Sequence, residues 1–91
     1  MPSSVDPDGR TVALTDARWA HISAGHPELS ALRTEVLRAV QEPTEVIDRR
    51  PGQRWYYLRG AGPSAWLKVV VAFDENGDGA VITAFPRRSK P

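Results

Sequence analysis

The sequence predicts an α+β domain in which two N-terminal helices pack on a four-stranded antiparallel sheet. Apolar residues recur at helical spacing between residues 29 and 40, ahead of Pro43. After Pro43 the pattern changes to segments rich in β-branched and aromatic residues, each bounded by turn residues. Because neither layer can bury its apolar side alone, we expect the helices to cover one face of the sheet.

Each predicted helix has a start or stop signal. The first should begin near Ala17 and end at Gly25, with Thr15 or Asp16 supplying the side-chain oxygen that caps a helix start. Pro43 should end the second helix. The apolar stripe of the second helix consists of Leu29, Leu32, Val36, Leu37 and Val40.

The strands are predicted from segments separated by turn residues. "TVAL" (11–14) allows a short extra strand, whereas residues 1–10, rich in Pro, Ser, Asp and Gly, indicate a flexible arm before a single domain over 11–91. We expect hairpins to join the main strands. Those strands are "TEVIDRR" (44–50), "RWYYLR" (54–59), "AWLKVVVAF" (65–73) and "AVITAF" (80–85).

Composition excludes several classes of protein. With no cysteine among its 91 residues, the chain cannot form disulfides or a thiolate zinc site. No apolar run is long enough to span a membrane, and residues 1–10 lack the apolar segment of a signal peptide. We therefore expect a cytoplasmic protein without a membrane partner; the sequence leaves its oligomeric state open.

The net charge of +1 conceals an asymmetry between the two halves of the chain. Residues 1–48 hold four Arg and eight Asp or Glu, a charge of −4, whereas residues 49–91 hold eight Lys or Arg and three acids, a charge of +5. A basic half is typical of proteins that contact a polyanion, although small domains often carry uneven charge without such a partner.

The segment "DENGDG" (74–79) matches the first half of a calcium-binding loop. Such a loop needs a bidentate Glu at its twelfth position, and counting from Asp74 that position is Phe85. A hairpin turn explains the Asn-Gly and Asp-Gly pairs without a metal, so we predict no calcium site.

Both histidines of the chain lie in "HISAGHPEL" (21–29). On one continuous helix, residues five apart point about 140° apart and cannot share a ligand. Gly25 and Pro27 indicate instead a corner, with His21 near the end of the first helix and His26 at the mouth of the second. Two interpretations remain open: a shared catalytic cleft, or a helix-capping His26 and a His21 that only packs locally.

Several segments together resemble, in the same order, phage- and toxin-associated members of the superfamily that joins barnase, EndoU, the colicin E5 and D nuclease domains, and RelE. The resemblance covers roughly residues 15–86 and rests on four segments. It implies two helices followed by a curved four-stranded antiparallel sheet, and a metal-independent ribonuclease with a toxin or phage-effector role. The segments are "HISAGHPEL…VLRAVQEPTEVID", "RWYYL", "WLKVVVAF" and "VITAF".

The resemblance also implies site residues. The histidine of the first helix corresponds to His21, with His26 in the turn; the strand cation is Arg54 or Lys68; and the hydroxyl of the last strand is Thr83. Strand alternation places Arg54 and Tyr56 on one face and Trp55 and Tyr57 on the other, and we expect the face of Lys68 to be open. The residues expected to bind RNA are Arg49, Arg50, Tyr56, Tyr57, Arg87 and Arg88, with Lys90 beyond them.

Cleavage at such a site needs a base for the 2′-hydroxyl proton, an acid for the 5′-oxygen and cations for the phosphorane, and no cofactor. His26 would be the base and His21 the acid, or the reverse. The alternative is a non-catalytic module of the same fold that binds RNA or protein. A toxin would also have a cognate antitoxin or immunity protein as a partner.

Overall fold

The computed structural model describes residues 3–89, with only the backbone of Arg50. Over this range no helix has the length and hydropathy that crossing a bilayer requires. The helices are α1 (Asp16–Gly25) and α2 (Arg33–Gln41), with a single 3-10 turn at Pro27–Leu29 between them. The strands are β1 (Ser3–Val5), β2 (Thr11–Ala13), β3 (Glu45–Arg50), β4 (Gln53–Arg59), β5 (Trp66–Phe73) and β6 (Gly79–Arg87).

The predicted four-stranded antiparallel sheet is wrong, although the α+β class is confirmed. Within residues 3–89 the sheet has six strands in the order β1-β2-β6-β5-β4-β3. It is mixed, because β2 pairs in parallel with β6 through Val12 opposite Gly79 and Ala13 opposite Ala80. Residues 3–5, expected in a flexible arm, pair with β2 as an antiparallel hairpin. Strands of three residues carry too little periodicity to stand out in a sequence pattern.

The main strands form the predicted antiparallel meander, β3-β4-β5-β6. A register shift between Val70 and Val71 marks a bulge where β5 meets β6. Such a bulge adds local twist and bends the strand. The "DENGDG" segment is the turn between these two strands, and the Asp74 carboxylate accepts hydrogen bonds from the backbone N–H groups of Asn76 and Asp78 at 2.9 and 3.0 Å.

A corner forms between the helices after Gly25, but His21 lies in the middle of α1, and His26 precedes a 3-10 turn rather than α2. The Thr15 hydroxyl caps α1 by accepting from Arg18 N at 3.0 Å, and the helix ends at Gly25. The His26 backbone N–H closes the last turn onto the Ile22 carbonyl at 2.8 Å. Pro27 then begins the 3-10 turn, so α2 starts four residues later than the start of the apolar stripe at Leu29.

The hydrophobic core lies between the helices and one face of the sheet. Strand side chains that alternate toward the helices are buried, while the intervening ones point away. The helices therefore leave the opposite face uncovered. The core consists of Val12, Leu14, Ile22, Leu29, Val36, Ala39, Val40, Tyr56, Leu58, Leu67, Val69, Val71, Val81 and Ala84.

Candidate nucleic-acid interface

The face of the sheet that carries no helix is called the open face below. Its side chains are fixed by the strand register, because directly paired residues point to the same side of a sheet. Tyr57 pairs with Lys68, and Lys68 pairs with Phe85, which places these three side chains in one row. The open face comprises Glu45, Ile47 and Arg49 of β3, Trp55, Tyr57 and Arg59 of β4, Trp66, Lys68 and Val70 of β5, and Thr83, Phe85 and Arg87 of β6.

Cations on the open face lie over aromatic rings. The Arg49 guanidinium carbon is 4.6 Å from the centroid of the Trp55 ring, and that of Arg59 is 5.5 Å from the centroid of the Trp66 ring. Separations up to about 6 Å give an attractive cation–π contact. Trp55, Trp66 and Arg59 are not among the predicted site residues. Alternation within each strand groups Trp66 with Lys68 and groups Trp55 and Arg59 with Tyr57.

Lys68 lies at the centre of the open face. Its Nζ is 3.3 Å from the centroid of the Trp55 ring and 5.4 Å from that of Phe85, and the residue is only 4% exposed. Burial lowers the pKa of its ammonium group, and the nearby cations Arg87 and Arg49 lower it further. Neither described helix covers this face, but its central cation is covered by neighbouring side chains.

Tyr57 lies beside Lys68 and is fully buried. Its ring meets Trp66 edge-on, with 6.2 Å between centroids. Its hydroxyl is buried without a hydrogen-bond partner among the described residues. Burial raises the pKa of this hydroxyl, against the opposing effect of Arg87 and Arg49. A buried hydroxyl without a partner costs free energy.

His26 lies at one edge of the open face. Its imidazole stacks on the Phe85 ring with 5.8 Å between centroids, and its Nδ1 is 3.7 Å from Oε2 of Glu28. Its side chain is 38% exposed. Since Phe85 also contacts Lys68, the structure brings His26 into the same aromatic row as the central cation.

Helix α1 follows the edge of β6. Arg18, in its first turn, donates to the Ile82 carbonyl at 3.2 Å, and His26, just after its end, contacts Phe85. His21 lies between these two points on the helix, is exposed, and lines a shallow pocket with Thr15 and Arg18. Thr83 pairs with Val70 and therefore lies on the open face, two residues from Phe85.

Arg54 lies on the opposite side of the sheet from Lys68, because Tyr57 and not Arg54 shares the face of Lys68. Its Nη1 is 2.6 Å from Asp8 Oδ2 and 3.3 Å from Asp6 Oδ2, and its Nε is 2.7 Å from Asp48 Oδ1. Hydrogen bonding to Asp48 raises the pKa of Arg54 further above its usual range, despite the opposing effect of burial. Tyr56 shares this side, fully buried, with its hydroxyl on Asp6.

The structure thus separates the two alternative strand cations. Lys68 shares a face with Thr83 and Phe85, whereas Arg54 is held by three carboxylates that link the N-terminal hairpin to β3 and β4.

The remaining predicted RNA-binding residues lie around the open face. Arg49 and Arg87 belong to it, the Arg87 guanidinium carbon being 6.0 Å from the Phe85 centroid. Arg88 follows β6 and is exposed. The side chain of Arg50 and all of Lys90 lie outside the described part of the chain.

Two further findings concern the identity of the site. Across the described residues, no group of three or more His, Asp or Glu is arranged to hold a metal ion. Comparison with known proteins finds no matching family, no similar curated protein and no similar solved structure.

Proposed function

We propose that this protein binds single-stranded RNA on the open face and cleaves it by attack of the 2′-hydroxyl. The observation that carries the proposal is the row Tyr57–Lys68–Phe85, with His26 stacked at its end. On one surface, the row combines a partly exposed ring and an imidazole with a cation that lies beneath neighbouring side chains, and the partly exposed Trp55 and Trp66 rings beside the row can stack with bases.

Single-stranded RNA is bound by stacking of bases on aromatic rings and on guanidinium planes, with basic side chains along the backbone. The open face supplies both, because Trp55 and Trp66 each lie beneath an arginine. An exposed arginine side chain can move from the tryptophan ring to a phosphate at little cost in free energy. A base can then stack on the ring that the arginine has left. The four cations and one acid among the open-face residues give this surface a net charge of +3, which attracts a polyanion.

The chemistry assigned to the site uses the RNA's own nucleophile. A base takes the proton of the 2′-hydroxyl, the 2′-oxygen bonds to phosphorus, and the bond from phosphorus to the 5′-oxygen breaks while an acid protonates that oxygen. The products are a 2′,3′-cyclic phosphate and a 5′-hydroxyl. His26 performs one proton transfer, and Lys68 stabilises the charge that develops on the phosphate. Thr83 donates a hydrogen bond to the same phosphate.

The resemblance to toxin-associated ribonucleases supports a metal-independent route with His21 as the second acid–base group. It also supports a protein inhibitor as partner, an antitoxin or immunity protein. An acidic surface would complement the open face.

A second candidate is RNA binding without cleavage. Its support is the position of His21, which lines a pocket with residues of α1 rather than with the aromatic row. If the RNA does not bring His21 and His26 to one phosphate, the site lacks one of its two proton carriers.

The test combines binding and cleavage on fluorescein-labelled RNA. Single-stranded RNA should bind more tightly than the corresponding duplex, because only unpaired bases can stack on the rings. Cleavage should continue in EDTA, and the products should carry 2′,3′-cyclic phosphate ends. Binding without cleavage would select the second candidate.

A matched pair of variants locates the interface. Arg59→Gln removes an exposed cation of the open face, and Arg38→Gln removes an exposed cation of α2 on the other side of the core. Only the first should weaken RNA binding. Equal effects, or none from either, would place the RNA elsewhere.

A further inference from the structure

A cavity of about 330 Å³ lies at the end of the sheet where β3 turns into β4. Its walls include the turn at Gly52, the side chain of Phe73 and that of Arg10. Gly52 has φ +81°, and an added Cβ would meet the Phe73 carbonyl oxygen at 3.3 Å, so the turn is held close against the end of β5. Sites for small ligands begin at about this volume.

Arg10 gives this cavity a flat, donor-rich wall. Its guanidinium carbon is 3.7 Å from the centroid of the Phe73 ring, so Phe73 backs one face of the guanidinium. Its Nε is buried and has no hydrogen-bond partner in residues 3–89. Only Nη2, at 3.4 Å from Asp6, makes an ion pair. The wall therefore offers a planar cation with one face on Phe73 and a charge only partly matched by Asp6.

Arg49 connects the cavity with the open face. It lies over the Trp55 ring of that face and also lines the cavity. Gln53, another lining residue, accepts a 3.0 Å hydrogen bond from Nε1 of the same tryptophan. An RNA strand that runs along β4 and leaves the open face at Trp55 therefore meets Arg49 and Gln53 at the edge of the cavity. The cavity continues around the end of the sheet, where Asp48 and Arg54 also line it.

We propose that the cavity binds one nucleotide of the RNA strand whose neighbours lie on the open face. Its base stacks on the Arg10 guanidinium, and its phosphate lies beside Arg49. Bases stack on guanidinium planes as they do on aromatic rings. The inference rests on the proposed RNA binding and extends it to a defined end of the strand.

The test measures the affinity of oligoadenylates of increasing length, with 2′-O-methyl groups that block cleavage. In the wild-type protein, adding the one nucleotide that first fills the cavity should raise the affinity of the oligomer by about tenfold. This step in affinity is the gain expected from one stacked base. Arg10→Lys keeps the charge beside Asp6 but removes the flat guanidinium, and should abolish this step while leaving shorter oligomers unaffected. Arg38→Lys, on α2, is the matched control and should retain the step.

Thermal melting verifies that Arg10→Lys is folded. Should it not fold, the amide resonances of Gly52 and Phe73 in the wild-type protein decide instead. They should shift only with the longer oligomers.

The outcomes separate the two proposals. If short oligomers bind and added length gains nothing, the cavity does not hold a nucleotide and only this inference fails. If AMP alone moves the Gly52 and Phe73 resonances and length has no effect, the cavity is a site for free nucleotides and the inference is also overturned. If no oligomer of any length binds, the proposed function itself fails.

Discussion

The Tyr56 hydroxyl donates a 2.7 Å hydrogen bond to Oδ2 of Asp6 and thereby joins the N-terminal hairpin to the middle of the sheet. The other carboxylate oxygen accepts from the backbone N–H groups of Asp8 and Arg10 at 3.0 and 2.9 Å. The Asp6 side chain has no exposed surface. This one carboxylate therefore accepts hydrogen bonds both from the backbone of the turn between β1 and β2 and from a buried phenol.

Replacing this carboxylate should be costly. Asp6→Ala leaves the Tyr56 hydroxyl and two backbone N–H groups without their acceptor, and should lower the free energy of unfolding by about 3 kcal/mol. Urea denaturation measures this loss. Asp8→Ala is the control, because Asp8 is exposed and its ion pair with Arg54 should contribute less than about 1 kcal/mol. Equal losses would show that Asp6 has no special role.

The same group should make stability depend on pH in acid. Burial acts to raise the pKa of Asp6, but hydrogen bonds from the Arg10 backbone and Tyr56 and the charge of Arg10 outweigh it and hold the pKa below its usual value. A carboxyl with a lowered folded-state pKa stabilises the fold above its unfolded-state pKa of about 3.9, and this contribution is lost as the pH falls through the folded-state pKa. Urea midpoints should fall steeply below pH 4 in the wild type and less steeply in Asp6→Asn. Parallel curves would assign the acid sensitivity to other groups.

Lys68 should show opposite effects on stability and on binding. Its lowered pKa means that the charged form is disfavoured where it lies, so Lys68→Met should stabilise the fold by about 1 kcal/mol. The same change removes the central cation and should weaken RNA binding by tenfold or more. Thermal melting and anisotropy on one preparation test both effects. A variant that melts higher yet binds RNA equally well would remove Lys68 from the site.

The two-residue period of a β-strand determines how much of this site the sequence can predict. The alternation in "RWYYLR" correctly separates Arg54 and Tyr56 from Tyr57, because a two-residue period leaves only two choices of face. Alternation within one strand does not show that Lys68 lies on the face of Tyr57, because the pairing of β4 with β5 decides this. Alternation also does not reveal which face the N-terminal hairpin reaches. For that reason the pairing of Asp6 with Tyr56, and the role of Arg54 as a partner of three carboxylates, appear only in the structure. The contact of His26 with Phe85 spans 59 residues and has no sequence signal either.

The salt dependence of RNA binding should identify the cations that contact phosphate. Each lost contact reduces the slope of log affinity against log salt by about 0.7 for a single strand. Arg49→Gln and Arg87→Gln remove cations of the open face and should each reduce the slope by that amount. Neutralising Arg88 and Lys90 in addition to Arg87 tests whether the end of the chain adds contacts. A slope equal to that of Arg87→Gln alone would exclude the end of the chain from the interface.

The two histidines should affect cleavage without affecting stability. His21 is exposed and His26 is over a third exposed, so their replacement by Ala removes little buried surface and should leave the thermal midpoint within a few degrees of the wild-type value. Each substitution should slow cleavage by about 10²-fold or more if that ring transfers a proton in the transition state.

Phe85→Leu tests how much the stacking that positions His26 contributes to cleavage, apart from the presence of the imidazole itself. It preserves both imidazoles but removes the ring on which His26 stacks, and should slow cleavage less than His26→Ala does. Rates are compared on one RNA with and without EDTA.

If only His26→Ala slows cleavage, His21 is not the second proton carrier, and the second carrier is to be sought on the open face. If the double variant cleaves at the wild-type rate, neither histidine takes part and the activity lies elsewhere.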